Sequence, residues 1–267
     1  MERYKPIVEK LARLGCYSVA AVYILIGTMA ILSFMGLSED AADEERIMDV
    51  ILGLPMGEVL IVLLVLGLLG YIIWRVFEAY TDPYEFGSDK KGLARRAGIA
   101  SSAVGYGIVG FAAMQILIEG GGNNGEEERQ FLVAQVLDFP GGAWLIGIVG
   151  AVTGFAGLVQ FKYVAGGDYN KRINYNKMPR WMVTTTHIFA WAGYLARGVI
   201  LAVIGYFLIS AAITADPEEV GDTDSAFDFL GSMGTLGNIA FIAIAAGTIC
   251  YGLYMIINGI YYSFQKD

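Results

Sequence analysis

The sequence predicts an all-α membrane protein: a six-transmembrane-helix bundle of three parallel helical-hairpin repeats, pseudo-three-fold about the membrane normal. Three observations predict it. A unit of two long apolar stretches separated by an acidic loop occurs three times in tandem. The first stretch of each copy carries two glycines at one separation: Gly15 and Gly27, Gly98 and Gly110, Gly193 and Gly205. The second carries an aromatic at one shared position: Tyr71, Phe155 and Tyr251. Each stretch is long enough for a bilayer, which takes about 20 helical residues for roughly 30 Å of hydrocarbon.

The composition agrees. Of 267 residues, 56% are hydrophobic, only 16% are charged, and 35 are glycine. Soluble domains seldom combine so much apolar content with so much glycine, whereas membrane helices use glycine to bring backbones together. Spans and loops consume nearly the whole chain, so one transmembrane domain, 1–267, is expected, with no soluble catalytic domain. Its repeats fall at about 11–83, 93–168 and 185–263.

Taken in order, the basic segment Arg3, Lys5, Lys10 and Arg13 leads into span one, Leu14–Gly36. No small-residue cleavage site follows, so no removable signal peptide is expected. An acidic loop precedes span two, Met56–Tyr80. Lys90, Lys91, Arg95 and Arg96 introduce span three, Arg95–Ile118, and a second acidic loop precedes span four, Gly142–Ala165. Lys171, Arg172, Lys177 and Arg180 introduce span five, Ile188–Ile213, and a third acidic loop precedes span six, Leu236–Tyr262. Arg46 and Arg129 are the only basic residues in the three acidic loops. Because Lys and Arg are retained in the cytoplasm, both termini and the two longer connections are expected there. Each acidic loop ends in a short apolar run, Ile47–Pro55, Phe131–Pro140 or Ala226–Gly231, too short to span and suited to an interfacial helix.

The chain goes out and back in each copy, so the three copies share one orientation, as parallel repeats do. Their glycines, with Gly67 and Gly247 in the return spans, are expected as helix contact points, since lipid supplies no hydrophobic drive between helices. The two glycines of an odd span lie about 120° apart around the helix and should serve two different neighbours.

Arg197 is the outstanding intramembrane charge, and such a residue points to a partner or a polar cavity unless it snorkels. Glu78 is the expected partner. A polar residue recurs at the Glu78 position as Lys162 and Asn258, which suggests a ring around the axis; a local pair of Arg75 with Glu78 is the plainer alternative. His187 is the sole histidine, and Cys16 and Cys250 are the sole cysteines. None has the spacing of a metal site, so no cofactor is expected. The glycine-rich Glu119–Glu128 stretch lacks the lysine of a phosphate loop, and no hydrolase signature occurs.

The segments Gly193–Pro217, Leu93–Gly110 and Leu66–Pro83 resemble the third repeat, the second repeat and the first return helix of the bacterial membrane family known as domain of unknown function 1206. That resemblance implies three transmembrane helix pairs and carries no activity, substrate or cofactor. Two functions are compatible with these features. The first is a non-catalytic accessory or assembly subunit whose partners are the lipid bilayer and other membrane proteins or a second copy of itself, with no nucleic acid. The second is a small channel or transporter with a path near the axis. Spans without internal proline and parallel rather than inverted repeats speak against transport.

Overall fold

The computed structural model describes residues 5–36, 50–53, 56–82, 86–119 and 125–261. Those residues form helices and connections, without a strand. The helices are α1 (Lys5–Phe34), α2 (Gly57–Thr81), α3 (Lys90–Glu119), α4 (Gly125–Leu137), α5 (Gly142–Ala165), α6 (Arg180–Thr214), α7 (Thr223–Gly231) and α8 (Gly234–Tyr261). Five of them, α1, α2, α5, α6 and α8, are long and apolar enough to cross a bilayer, which makes this a multi-pass membrane protein. The remaining expected span, Arg95–Ile118, lies within α3, a helix of 30 residues.

The short apolar runs are helical over most of their described length, the second ending in a turn at Asp138, Phe139 and Pro140. Phe131–Leu137 belongs to α4, and Ala226–Gly231 to α7. Of the first run, 47–49 and 54–55 lie outside the described residues, and Ile51 and Leu52 are helical. Asp222 caps α7 by accepting hydrogen bonds from the backbone N–H and the hydroxyl of Ser225, each 2.8 Å, filling donors that a helix start leaves open. Arg129 on α4 pairs with the same Asp222 and so ties the second acidic loop to the third. Each return span is entered through a left-handed residue: Met56 at φ 65°, Gly141 at φ 91° and Gly234 at φ 73°.

The long helices pack in a definite order. α3 lies on α2, α2 on α1, α1 on α8, α8 on α6, and α6 on α5. Among the described residues no comparable packing joins α3 to α5, although these are consecutive spans of one repeat. The glycines explain both facts. A Cβ on Gly15 would lie 2.5 Å from Cβ of Tyr71, and one on Gly193 would lie 2.6 Å from Cα of Tyr251, so only hydrogen fits at either contact. Gly27 and Gly205 serve the second neighbour, as their angular offset requires. A Cβ on Gly27 would lie 2.6 Å from the Ala245 carbonyl oxygen of α8, and one on Gly205 would lie 2.5 Å from the backbone nitrogen of Gly154 on α5. Gly67 sits against Ser18, and Gly247 against Ala196.

The second copy departs from this pattern. Nothing lies within 4 Å of a Cβ built on Gly98, and Gly110 has only ordinary contacts with Leu68 at 3.8 and 3.9 Å. Phe155 is 66% exposed, whereas Tyr71 and Tyr251 are each 0% exposed. Among the described residues Gly98 shows no close approach like those of Gly15 and Gly193, and α5, the return helix of its copy, is packed on α6 instead.

These contacts predict an asymmetric response to one substitution. Gly15→Leu and Gly193→Leu should each destabilise by at least ~2 kcal/mol, because overpacking here meets backbone and not a yielding side chain. Gly98→Leu should leave the thermal midpoint of the purified protein in detergent nearly unchanged. Similar losses at all three positions would contradict the packing.

Candidate functional site

The polar groups of the membrane interior gather around two arginines, and each is held by one of the shared-position tyrosines. On α2, Arg75 donates from Nη1 to Glu78 Oε2 at 2.9 Å and from Nη2 to the Tyr71 hydroxyl. Helical spacing brings the three onto one face, with Tyr71 and Glu78 four residues before and three after Arg75. Their burial is deep, with Arg75 at 5% and Glu78 at 1% exposure. The guanidinium also lies over the Tyr71 and Trp74 rings, 4.8 and 4.6 Å from their centroids. Cation and carboxylate cancel, so the cluster is neutral.

Arg197, half-buried on α6, is held differently. Its Nη1 donates to the Tyr251 hydroxyl of α8 at 2.8 Å. Its guanidinium carbon lies 5.7, 5.5 and 5.2 Å from the ring centroids of Tyr23, Tyr106 and Tyr251, contributed by α1, α3 and α8. Among the described residues it meets no carboxylate. The expected pairing of Arg197 with Glu78 is thus corrected, for Glu78 is already neutralised by Arg75 one turn away on its own helix. Arg197 does not snorkel either, since its head turns into the bundle and onto rings.

Tyr23 and Tyr106 escaped the sequence reading although the signal was present. Tyr23 stands eight residues after Gly15 and Tyr106 eight after Gly98, while Leu201 holds that place in the third copy. The repeat is visible in their contacts. Tyr71 meets Tyr106 with centroids 4.6 Å apart at 70°, and Tyr251 meets Tyr23 with centroids 4.7 Å apart at 69°. Edge-to-face contacts of this kind each add about 0.5–1.5 kcal/mol beyond area burial.

The suggested ring of Glu78, Lys162 and Asn258 is not assembled. Lys162 is exposed at the end of α5, whereas Asn258 is buried on α8, 3.7 Å from Sγ of Cys16 on α1. Cys16 is buried in helix packing, and both cysteines are free. His187 binds the Tyr169 hydroxyl through Nδ1 at 2.7 Å and stacks on Tyr175 with centroids 5.5 Å apart. Burial pushes both of these phenols above their ordinary range, so they remain neutral hydrogen-bonding groups at physiological pH. From this connector a file of rings leads inward. Tyr169 meets Tyr194 and Tyr254, and Tyr194 meets Tyr251 at 5.3 Å. No group of three or more His, Cys, Asp or Glu that would hold a metal ion occurs among the described residues.

The sequence matches the Domain of Unknown Function (DUF1206) family three times, at residues 14–82, 97–165 and 192–262. The chain belongs to this family. A DUF1206 relative from Bacillus subtilis (strain 168), named "Uncharacterized protein YxxB", is 34% identical over 257 residues, which is 96% of this chain and 92% of the relative. No solved structure matches. The three DUF1206 matches fall one on each hairpin, so the shared-position residues Tyr71, Phe155 and Tyr251 each lie inside one match. Neither comparison assigns a ligand, a reaction or a partner.

The two arginines predict opposite coupling in double-mutant cycles. Arg75→Met and Glu78→Met should each cost about 3–5 kcal/mol by stranding a buried charge, and together much less than the sum. Arg197→Ala and Glu78→Ala should be additive within about 0.5 kcal/mol, because they share no partner. Chemical unfolding in detergent followed by tryptophan fluorescence measures both. Strong coupling in the second cycle would contradict the assignment.

Proposed function

We propose that the protein is a non-catalytic accessory or assembly subunit of the bacterial inner membrane that packs against another membrane protein at its second repeat. The supporting observation is that Gly98 and Phe155 are both exposed there, whereas Tyr71 and Tyr251 are buried. Gly98 offers the surface that receives an aromatic in the other two copies, and Phe155 offers the aromatic that a glycine receives. In this reading six spans surround a pseudo-three-fold axis, supported by the equivalent Tyr71–Tyr106 and Tyr23–Tyr251 contacts and by the order in which the helices pack. Both termini face the cytoplasm and the acidic loops face outward, supported by the distribution of lysine and arginine.

The partner is a transmembrane helix that seats an aromatic on Gly98 and gives Phe155 a small residue, reproducing the Gly15–Tyr71 contact. Close packing is what such an association offers in lipid, where apolar burial alone gives little. The interior favours this role over conduction. Tyr71, Trp74, Tyr251 and Tyr254 are each 0% exposed, so none of them lines a water-filled path.

A photo-crosslinking residue at Phe155, expressed in cells at native level, should give one predominant protein adduct, and Gly98→Leu should abolish it. The same residue at Tyr251 should crosslink only within the chain. Adducts to lipid alone at Phe155 would overturn the proposal. The orientation is read separately by labelling single cysteines in intact cells: Glu219→Cys should react and Lys177→Cys should not.

A further inference from the structure

We propose that Arg197 and Tyr106 form a binding site for a small monovalent inorganic anion, of the size of chloride or bromide, inside the helix bundle. The inference does not depend on a partner at the second repeat. It begins with charge. Arg75 and Glu78 neutralise each other, while Arg197 meets no carboxylate among the described residues. The site therefore carries one uncompensated positive charge well inside α6, which runs from Arg180 to Thr214.

The protein groups around Arg197 stabilise that charge only in part. Three aromatic faces act as cation–π partners, and one phenol oxygen accepts a hydrogen bond. The cost of taking an ion out of water exceeds what such contacts return unless the charge itself is paired. A guanidinium has five N–H donors, and the Tyr251 hydroxyl takes one.

The hydrogen-bond inventory points the same way. Nε of Arg197 is buried without a partner, and so is the hydroxyl of Tyr106, a residue only 6% exposed whose ring lies against the same guanidinium. Buried polar groups are almost always paired, so two orphaned donors beside one cation need explanation. What the site lacks is an acceptor, and an acceptor with negative charge would supply both missing quantities at once. A water molecule would fill the hydrogen bonds and leave the charge. Arg197 as a residue is half-buried, while its Nε atom is fully buried.

The two arginines differ here in an instructive way. At Arg75 the anion is built in as Glu78, on the same helix. At Arg197 the residue three positions on is Ile200, so the counterion must come from outside the helix. Three rings, Tyr23, Tyr106 and Tyr251, crowd the guanidinium, and a small anion disturbs that packing least.

The test uses the full chain in detergent, exchanged into sodium gluconate and titrated with sodium chloride or bromide at constant ionic strength. The thermal midpoint of the wild type should rise and saturate. Tyr106→Phe, which keeps the ring and removes the donor, should shift half-saturation to about tenfold higher anion, as expected for one lost hydrogen bond to a charged group. Arg197→Gln should abolish the response. Because Arg197→Gln can fail to fold, bromide anomalous diffraction from wild-type crystals gives a second readout, with a peak expected beside Arg197 and Tyr106. A saturable response unchanged in Tyr106→Phe, a response retained in Arg197→Gln, a non-saturating salt effect, or bromide absent from this position would each overturn the proposal.

Discussion

Helices in lipid cannot be driven together by hiding apolar surface from water, so they hold only where their backbones come close. In this protein that closeness is supplied where Gly15 takes Tyr71 and where Gly193 takes Tyr251. Much else follows from those two contacts. They draw α1 onto α2 and α6 onto α8, and they set both tyrosine rings deep between helices with their hydroxyls inward. The hydroxyls then become acceptors for arginine, Arg75 in one case and Arg197 in the other. A packing motif thus doubles as the means of placing polar groups where the hydrocarbon would otherwise exclude them.

The repeats are equal in sequence pattern and unequal in what they hold. The first copy carries a buried ion pair, the third an arginine that meets no carboxylate among the described residues, and the second has Val159 and Ser102 at those two places, with Phe155 where the others have a phenol. Losing the hydroxyl and losing the contact go together in that second copy. Phe155 has no polar tip to satisfy inside the bundle, so nothing opposes its facing lipid or a neighbouring protein. Tyr71 and Tyr251 turned outward would each leave their arginine short of an acceptor.

Much of the fold is legible in the chain because membrane helices leave few alternatives. Length, loop charge and glycine spacing place the spans, and the offset between Gly15 and Gly27 foretells two neighbours, which turn out to be α2 and α8. The exposure of Gly98 is not legible, since Gly98 has the same spacing as its counterparts. Whether a glycine is filled is decided by which neighbour the return helix finds, and α5 finds α6. At the site, charge complementarity names a carboxylate for Arg197, yet Arg75 reaches Glu78 first because it lies one turn away on the same helix. Tyr23 and Tyr106 were recoverable from their shared distance to a glycine, but an aromatic in a membrane span carries no mark of its partner.

The packing of α1 on α8 also has a consequence in time. The first long helix and the last lie side by side, with Gly27 against Ala245, although some 200 residues separate Phe34 from Gly234. A ribosome adding about 5–20 residues per second needs roughly 10–40 s to cover that distance. Throughout that interval α1 stands in the bilayer with one face unsatisfied, including the buried positions Ala12, Cys16 and Val19. The arrival of α8, not insertion of the earlier hairpins, is therefore the event that satisfies this face, and a nascent chain halted before α8 presents the membrane with an unmatched small-residue face on α1.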